Sequence, residues 1–149
     1  MDVFLDTSFI IPLILRTEKT LEARKFFESS EYRLFSCAAV FQETFYVGLR
    51  LLAEERFGIK NSFSLRKWIR NNGYNGFEDF LEYLTIVFRE INLLEDLTDE
   101  EEILSIARKY SLLPNDALIA ATCRYYGIRR IATFDEDFKR VDFLDVLIL

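Results

Sequence analysis

The 149-residue chain contains no histidine. That absence removes Ser-His-Asp triads, Cys-His nucleophile pairs and every histidine-bearing zinc site. Cysteine is scarce: Cys37 and Cys123 are the only two, each inside an apolar segment. They read as buried thiols, and a disulfide framework is excluded by number. Soft-metal coordination falls with them, so any metal chemistry must use oxygen ligands, which favours Mg²⁺ or Mn²⁺. No apolar run reaches the roughly 18–20 residues that a membrane helix needs. The opening "MDVFLD" lacks the basic segment of a signal peptide, which points to the cytoplasm. Repeats, low-complexity tracts and linkers are also missing, so residues 1–149 read as one domain, long enough to bury a core.

Half of the residues are hydrophobic and 30% are charged, the balance of a globular protein. Nineteen basic residues face 25 acidic ones, a net charge of −6, so the protein as a whole is no passive polyanion binder. Periodicity predicts strands over 2–6, 33–37, 91–95, 129–134 and the terminal "VLIL". Helices are expected over 7–15, 19–30 (Leu21, Phe26 and Phe27 inward), 38–56, 63–71 and 77–89. A further helix runs from "TDEE" to Tyr110, with Thr98 and Glu101 at capping-box spacing. Pro114 opens the last helix and Gly127 closes it. Strands separated by helices require crossover connections, hence an α/β fold with a mainly parallel sheet covered on both faces.

Four carboxylates fall where a merely solvated charge would not. Asp6 ends the first apolar strand in "VFLDTSFII", and Glu43 interrupts the apolar start of the long helix. Asp116 lies in the first turn of a helix that continues as the apolar "ALIAATC", and Asp135 follows "RIATF". Each has a modest explanation. Asp6, with Thr7 and Ser8, can cap a helix; Asp116 can favour a helix dipole; Glu43 can point outward; Asp135 can start a turn. Those explanations leave their coincidence unaccounted for, because three of the four lie at strand ends or helix starts that a parallel sheet brings to one edge. Carboxylates gathered there repel one another unless a cation is present. A divalent ion resolves the conflict and can activate water for attack on a phosphodiester.

The order and spacing of "FLDTS", a Glu in the helix after the second strand, "PNDALIAAT" and "IATFDEDF" resemble the PIN-domain ribonucleases, particularly VapC-type toxins. The resemblance spans residues 2–138. It implies a PIN-like three-layer α/β/α fold and Mg²⁺- or Mn²⁺-dependent endoribonuclease activity. Carried over residue by residue, it implies metal ligation by Asp6 and Asp116, with Glu43 and Asp135 completing an acidic quartet and Asp137 as a second-line ligand. Ser8 and Thr133 take the family's supporting polar positions. The resemblance also implies an RNA substrate, a small antitoxin partner and a homodimer.

A haloacid-dehalogenase-like phosphatase would need a second Asp two residues after the first, where Ser8 stands, and a receiver domain would need an acidic pair beside its first strand. Two further alternatives are an RNA-processing PIN nuclease without an antitoxin and a silent PIN-like binding module. Against the last stands the presence of all four acids. One departure is a long basic stretch: residues 57–77 hold Lys60, Arg66, Lys67 and Arg70 and no acid, leaving 15 basic and 25 acidic residues elsewhere. With Leu65, Trp68 and Ile69 on one helix face and the three helix charges on the other, two readings stand: the apolar face packs on the domain and the basic face is simply solvated, or the basic face tracks the RNA backbone with Tyr74 near for stacking.

Overall fold

The structure, a computed structural model, describes residues 1–29 and 31–147. Strand β1 (Asp2–Leu5) lies at the centre of a five-stranded parallel sheet, and its Val3, Phe4 and Leu5 are wholly buried. That continuous apolar run follows from burial on both faces, where alternation would place polar groups against helices. β1 pairs with β2 (Arg33–Cys37) on one side and β4 (Arg130–Ala132) on the other, so Phe4 sits opposite both Phe35 and Ile131. β3 (Asn92–Leu94) extends the sheet beyond β2, and β5 (Asp145–Val146) extends it beyond β4. The spatial order is β3-β2-β1-β4-β5. The chain therefore steps outward from β1 to β3, then returns to the other side of β1. The strand order reverses between β1 and β4, and an open parallel sheet leaves a crevice for a site at the carboxyl ends of such a pair.

Among the described residues, seven α-helices flank the sheet in the expected α/β/α arrangement: α1 (Thr7–Ile14), α2 (Thr20–Phe27), α3 (Ala38–Phe57), α4 (Ser62–Asn72), α5 (Glu78–Arg89), α6 (Glu100–Tyr110) and α7 (Pro114–Tyr126). α7 starts on Pro114 and ends where Gly127 takes φ +71°; Ala117, Ile119, Ala120 and Cys123 are buried, as its apolar sequence predicts. Cys37 and Cys123 are free and buried, and burial pushes the Cys37 thiol up to about 12, which leaves it inert. No helix among the described residues is long and apolar enough to cross a membrane.

The apolar residues form two clusters. The larger one spans the sheet and holds Phe4, Phe9, Ile131 and Phe138. The smaller joins Leu49, Leu52 and Ala53 of α3 to Leu65 of α4 and to Phe77 and Phe80 at the start of α5. Gly48 permits that junction: a Cβ there would lie 2.5 Å from the Phe80 ring. The Arg56 guanidinium closes its far end, donating to both Asp79 carboxylate oxygens at 2.8 and 2.7 Å and to the Gly76 carbonyl at 2.7 Å.

Several local expectations need correction. α2 covers Thr20–Phe27 rather than 19–30, with Ser30 outside the described residues, and Leu21 is 77% exposed instead of inward. Ala23, Phe26 and Phe27 make the inward stripe at helical spacing, and Leu21 falls on the opposite face. α6 is capped one residue later than "TDEE" suggests: the Asp99 carboxylate accepts from the Glu102 N–H at 3.1 Å, and Thr98 does not cap. β3 and β4 are shorter than expected, since β4 stops at Ala132 and frees the next residues for the site. Of the terminal "VLIL", Val146 belongs to β5, and Ile148 and Leu149 lie outside the described residues.

Candidate active site

Asp6 leaves β1 in extended backbone and caps α1, its Oδ1 accepting from the Phe9 N–H at 3.2 Å. The modest reading of this carboxylate is therefore correct, and it is incomplete. Ser8 Oγ donates to Oδ1 at 2.9 Å, and Thr133 Oγ1, just beyond β4, donates to Oδ2 at 2.8 Å. The two hydroxyls also lie 3.0 Å apart, so three oxygen–oxygen contacts close a ring. Burial pushes the Asp6 carboxyl up to about 7, against the pull of bonds from Thr133, Ser8 and the Phe9 N–H, with the Asp135 charge adding to the rise.

The same hydroxyls anchor the exit of β4. Thr133 Oγ1 accepts from the Asp135 N–H and Ser8 Oγ from the Phe134 N–H, both at 2.9 Å. Asp135 in turn caps a 3₁₀ turn over Glu136–Arg140, its Oδ1 accepting from the Asp137 N–H at 2.9 Å. The turn delivers Asp137 beside Asp135. Asp116 arrives from the first turn of α7, and one carboxylate oxygen from each of Asp116, Asp135 and Asp137 lies within 4.8 Å of the others. Glu43 reaches the site from the second turn of α3 and accepts a bond from Asn115 Nδ2.

Asp6, Glu43, Asp116 and Asp135 line a cleft of about 300 Å³ walled by Ile11 and Pro12. The quartet expected from the sequence is thus brought together at the β1–β4 crevice. Asp137, expected to stand further back, instead joins Asp116 and Asp135 directly while lying outside the cleft's lining. Burial first, and then the charges of Asp135, Glu43 and Asp137, push the Asp116 carboxyl up to about 6, opposed by Arg140. Burial also lifts Glu43 above its usual value, with the Thr7 hydroxyl opposing and Asp135 adding. Oxygen-only donors that repel one another at this range suit a hard divalent cation, which would relieve the repulsion.

Two site residues escape the sequence reading. Asn115 holds Glu43, and its only signal is its place beside Asp116 in "PND". Arg140 donates from Nη1 to Asp137 Oδ1 at 3.0 Å and from Nε and Nη2 to the Tyr110 and Ser111 carbonyls at 2.9 and 2.8 Å. Its position three residues after Asp137 is a weak signal, because its other partners end a helix distant in sequence.

The basic segment behaves less uniformly than expected. Lys60, Arg66, Lys67 and Arg70 are exposed, and none lines the acidic cleft. Lys67 lines a separate cleft with Trp68, whereas Arg66 and Arg70 lie on another flank of α4 and do not line it. Tyr74 does not stand beside the acids: its ring leans on Phe45 at 5.8 Å, and Phe45 lies two residues past Glu43, on the opposite side of α3.

The PIN domain family model matches residues 3–144. Ribonuclease VapC6 of Methanocaldococcus jannaschii is 33% identical over 98% of this chain and 96% of its own length. Among solved structures, the Mycobacterium tuberculosis toxin VapC20, which cleaves the sarcin-ricin loop, is 19% identical with a TM-score of 0.66, covering 95% of this chain and 96% of its own. VapBC2 of Rickettsia felis, bound to a DNA fragment from its promoter, is 13% identical with a TM-score of 0.65, covering 100% and 99%. With the family model matching nearly end to end and a curated relative above 30% identity along the same span, the chain belongs to the PIN-domain family.

Proposed function

We propose that this chain is a metal-dependent endoribonuclease and the toxin of a toxin–antitoxin pair, acting in the cytoplasm as one nuclease domain over residues 1–149. The observation that carries the reading is the convergence of Asp116, Asp135 and Asp137 beside a cleft also lined by Asp6 and Glu43. Family membership and the named ribonuclease relative support it. An antitoxin partner is supported by the Rickettsia felis VapBC2 neighbour.

Asp6, Asp116, Asp135 and Glu43, with Asp137 beside them, would hold Mg²⁺ or Mn²⁺, which when bound supplies a Lewis acid for the phosphoryl oxygens and an activated water. The chain's own part is placement. Ser8 and Thr133 fix the Asp6 carboxylate from both sides, and Asn115 fixes Glu43. Arg140 holds Asp137 against the end of α6 and offsets part of the cluster's charge. Ile11, Pro12 and Ile119 narrow the cleft and limit bulk water around the reacting phosphate.

Asp116→Asn should abolish RNA cleavage in Mg²⁺ or Mn²⁺, a fall of at least about 10²-fold in rate, with folding retained. Cleavage of a mixed RNA pool by purified protein and variant checks this. Equal cleavage by the variant would overturn the reading.

A further inference from the structure

Beyond the acidic cleft, the outer face of α3 carries Glu43, Val47, Arg50 and Glu54 at three- and four-residue spacing, one stripe of the helix. Val47 walls the acidic cleft and also a second cleft of about 190 Å³ that includes Tyr46, Arg50 and Ile59. Ile59 in turn walls a third cleft of about 290 Å³, lined by Ser64, Lys67, Trp68 and Asn71 of α4. The three clefts follow one another from the acids along α3 to the basic helix, neighbours sharing Val47 and then Ile59 as wall residues, and are taken together as a trough. Glu43 and Glu54 alone are about 16 Å apart along the axis of α3.

The trough's cations are free. Arg50 and Lys67 are exposed and make no ion pair among the described residues, whereas Arg56 and Arg140 are committed to Asp79 and Asp137. Tyr46, 45% exposed, lines the second cleft; the Arg50 guanidinium lies over one face of its ring, 5.9 Å from the centroid, and its hydroxyl is 2.7 Å from Ser62 Oγ at the start of α4. A half-exposed aromatic ring with a guanidinium that makes no ion pair over one face can stack a base on the other and hold its phosphate. Glu54 is the one carboxylate along the second and third clefts, and the 57–77 segment beyond carries none.

Resting on the ribonuclease reading above, we propose that single-stranded RNA runs from the acidic cleft along this trough, with Tyr46 as a base platform and Arg50 and Lys67 as phosphate contacts. Arg66 and Arg70, on another flank of α4, do not line the path. Charge favours RNA over a basic peptide as the occupant, because the α4 end of the trough would repel Lys- or Arg-rich chains.

The test uses the full chain and a fluorescein-labelled mixed-sequence single-stranded RNA, with anisotropy read in metal-free buffer across a KCl series and cleavage read separately in Mn²⁺. Arg50→Ala with Lys67→Ala removes two phosphate contacts. It should lower the slope of log affinity against log salt by about 1.4, so that its affinity deficit shrinks about sevenfold between ~50 and ~200 mM KCl. Tyr46→Ala should weaken binding at every salt concentration with the slope kept. Arg66→Ala with Arg70→Ala should change the slope by less than one phosphate contact. An unaltered slope in the first variant, or an equal fall in the Arg66 and Arg70 variant, would overturn the track. So would RNA binding left intact in the Arg50 and Lys67 variant while binding of an antitoxin partner is lost, which would make the trough a protein groove. Salt-dependent binding through Arg50 and Lys67 without any cleavage would support the track and overturn the nuclease reading; cleavage with an unaltered slope would do the reverse.

Discussion

The edge of the sheet and the lobe built from α3, α4 and the start of α5 handle charge in opposite ways. At the sheet edge, carboxylates are buried or half-buried, crowd one another and are raised in pKa. In the lobe, Lys60, Arg66, Lys67 and Arg70 stand in water without ion pairs among the described residues. The first arrangement stores repulsion that a bound cation relieves, and it holds only because the sheet core fixes the backbone. The second stores nothing. It needs only a helix held in place, which the small cluster around Leu65 and Phe80 provides. A chain of net charge −6 can thus offer a cation site and a polyanion-facing surface by segregating the two.

The strongest way to break the contrast is to remove the lobe's anchor. Phe80 is 1% exposed and packs over Gly48, so Phe80→Ala should cost about 3–5 kcal/mol by thermal or denaturant unfolding. If the lobe is a separate cluster, amide exchange should quicken in α4 before it does in β1.

Next in size is the cost of holding a buried carboxylate at the sheet edge, to which repulsion from Asp135 adds a smaller part. Asp6 titrates at about 7 when folded against an ordinary 3.8. Above pH 7 the folded state carries this buried charge at full cost. As pH falls from 7 towards 3.8 the folded state takes up the proton first and stability rises; below both values the cost is gone. Metal-free protein should therefore gain stability on mild acidification. Asp6→Asn should remove that dependence and raise stability at pH 8, with a ceiling of about 4 kcal/mol. Denaturant melts of both proteins at pH 5.5 and pH 8 check it.

Arg56→Ala should do least. Both members of its pair with Asp79 are partly exposed, so the ion pair should contribute under about 1 kcal/mol, and that part of the loss should shrink in high salt while the part from the Gly76 carbonyl bond stays.

Legibility from sequence follows the same division. The sheet edge could be read because strands rich in buried apolar residues end abruptly on acids, and a parallel sheet places such ends together. Asp6 and Asp135 converge for that reason and Asp116 joins them from the start of α7, whereas Glu43 comes from the second turn of α3 and is not placed by a strand end. Asn115 and Arg140 could not be read, since their partners are set by how α3, α6 and α7 meet rather than by local pattern. In the lobe, the amphipathic face of α4 was visible in Leu65, Trp68 and Ile69. The azimuth of the helix was not, so Lys67 could not be told apart from Arg66 and Arg70 as a cleft residue, nor Tyr74 recognised as lying behind α3. Leu21 misled because a lone apolar residue on a short amphipathic helix carries little weight against the Ala23, Phe26 and Phe27 stripe.

Everything proposed for the sheet edge depends on Asp116, Asp135 and Asp137 forming a cation site. Calorimetric titration of Mn²⁺ into metal-free protein at pH 8, alongside Asp116→Asn, tests it most directly. Saturable binding by the unaltered chain, weakened at least about 100-fold in the variant, is the predicted result, given that losing even an outer partner costs roughly 10–100-fold in metal affinity. Binding of equal strength in both proteins would contradict it.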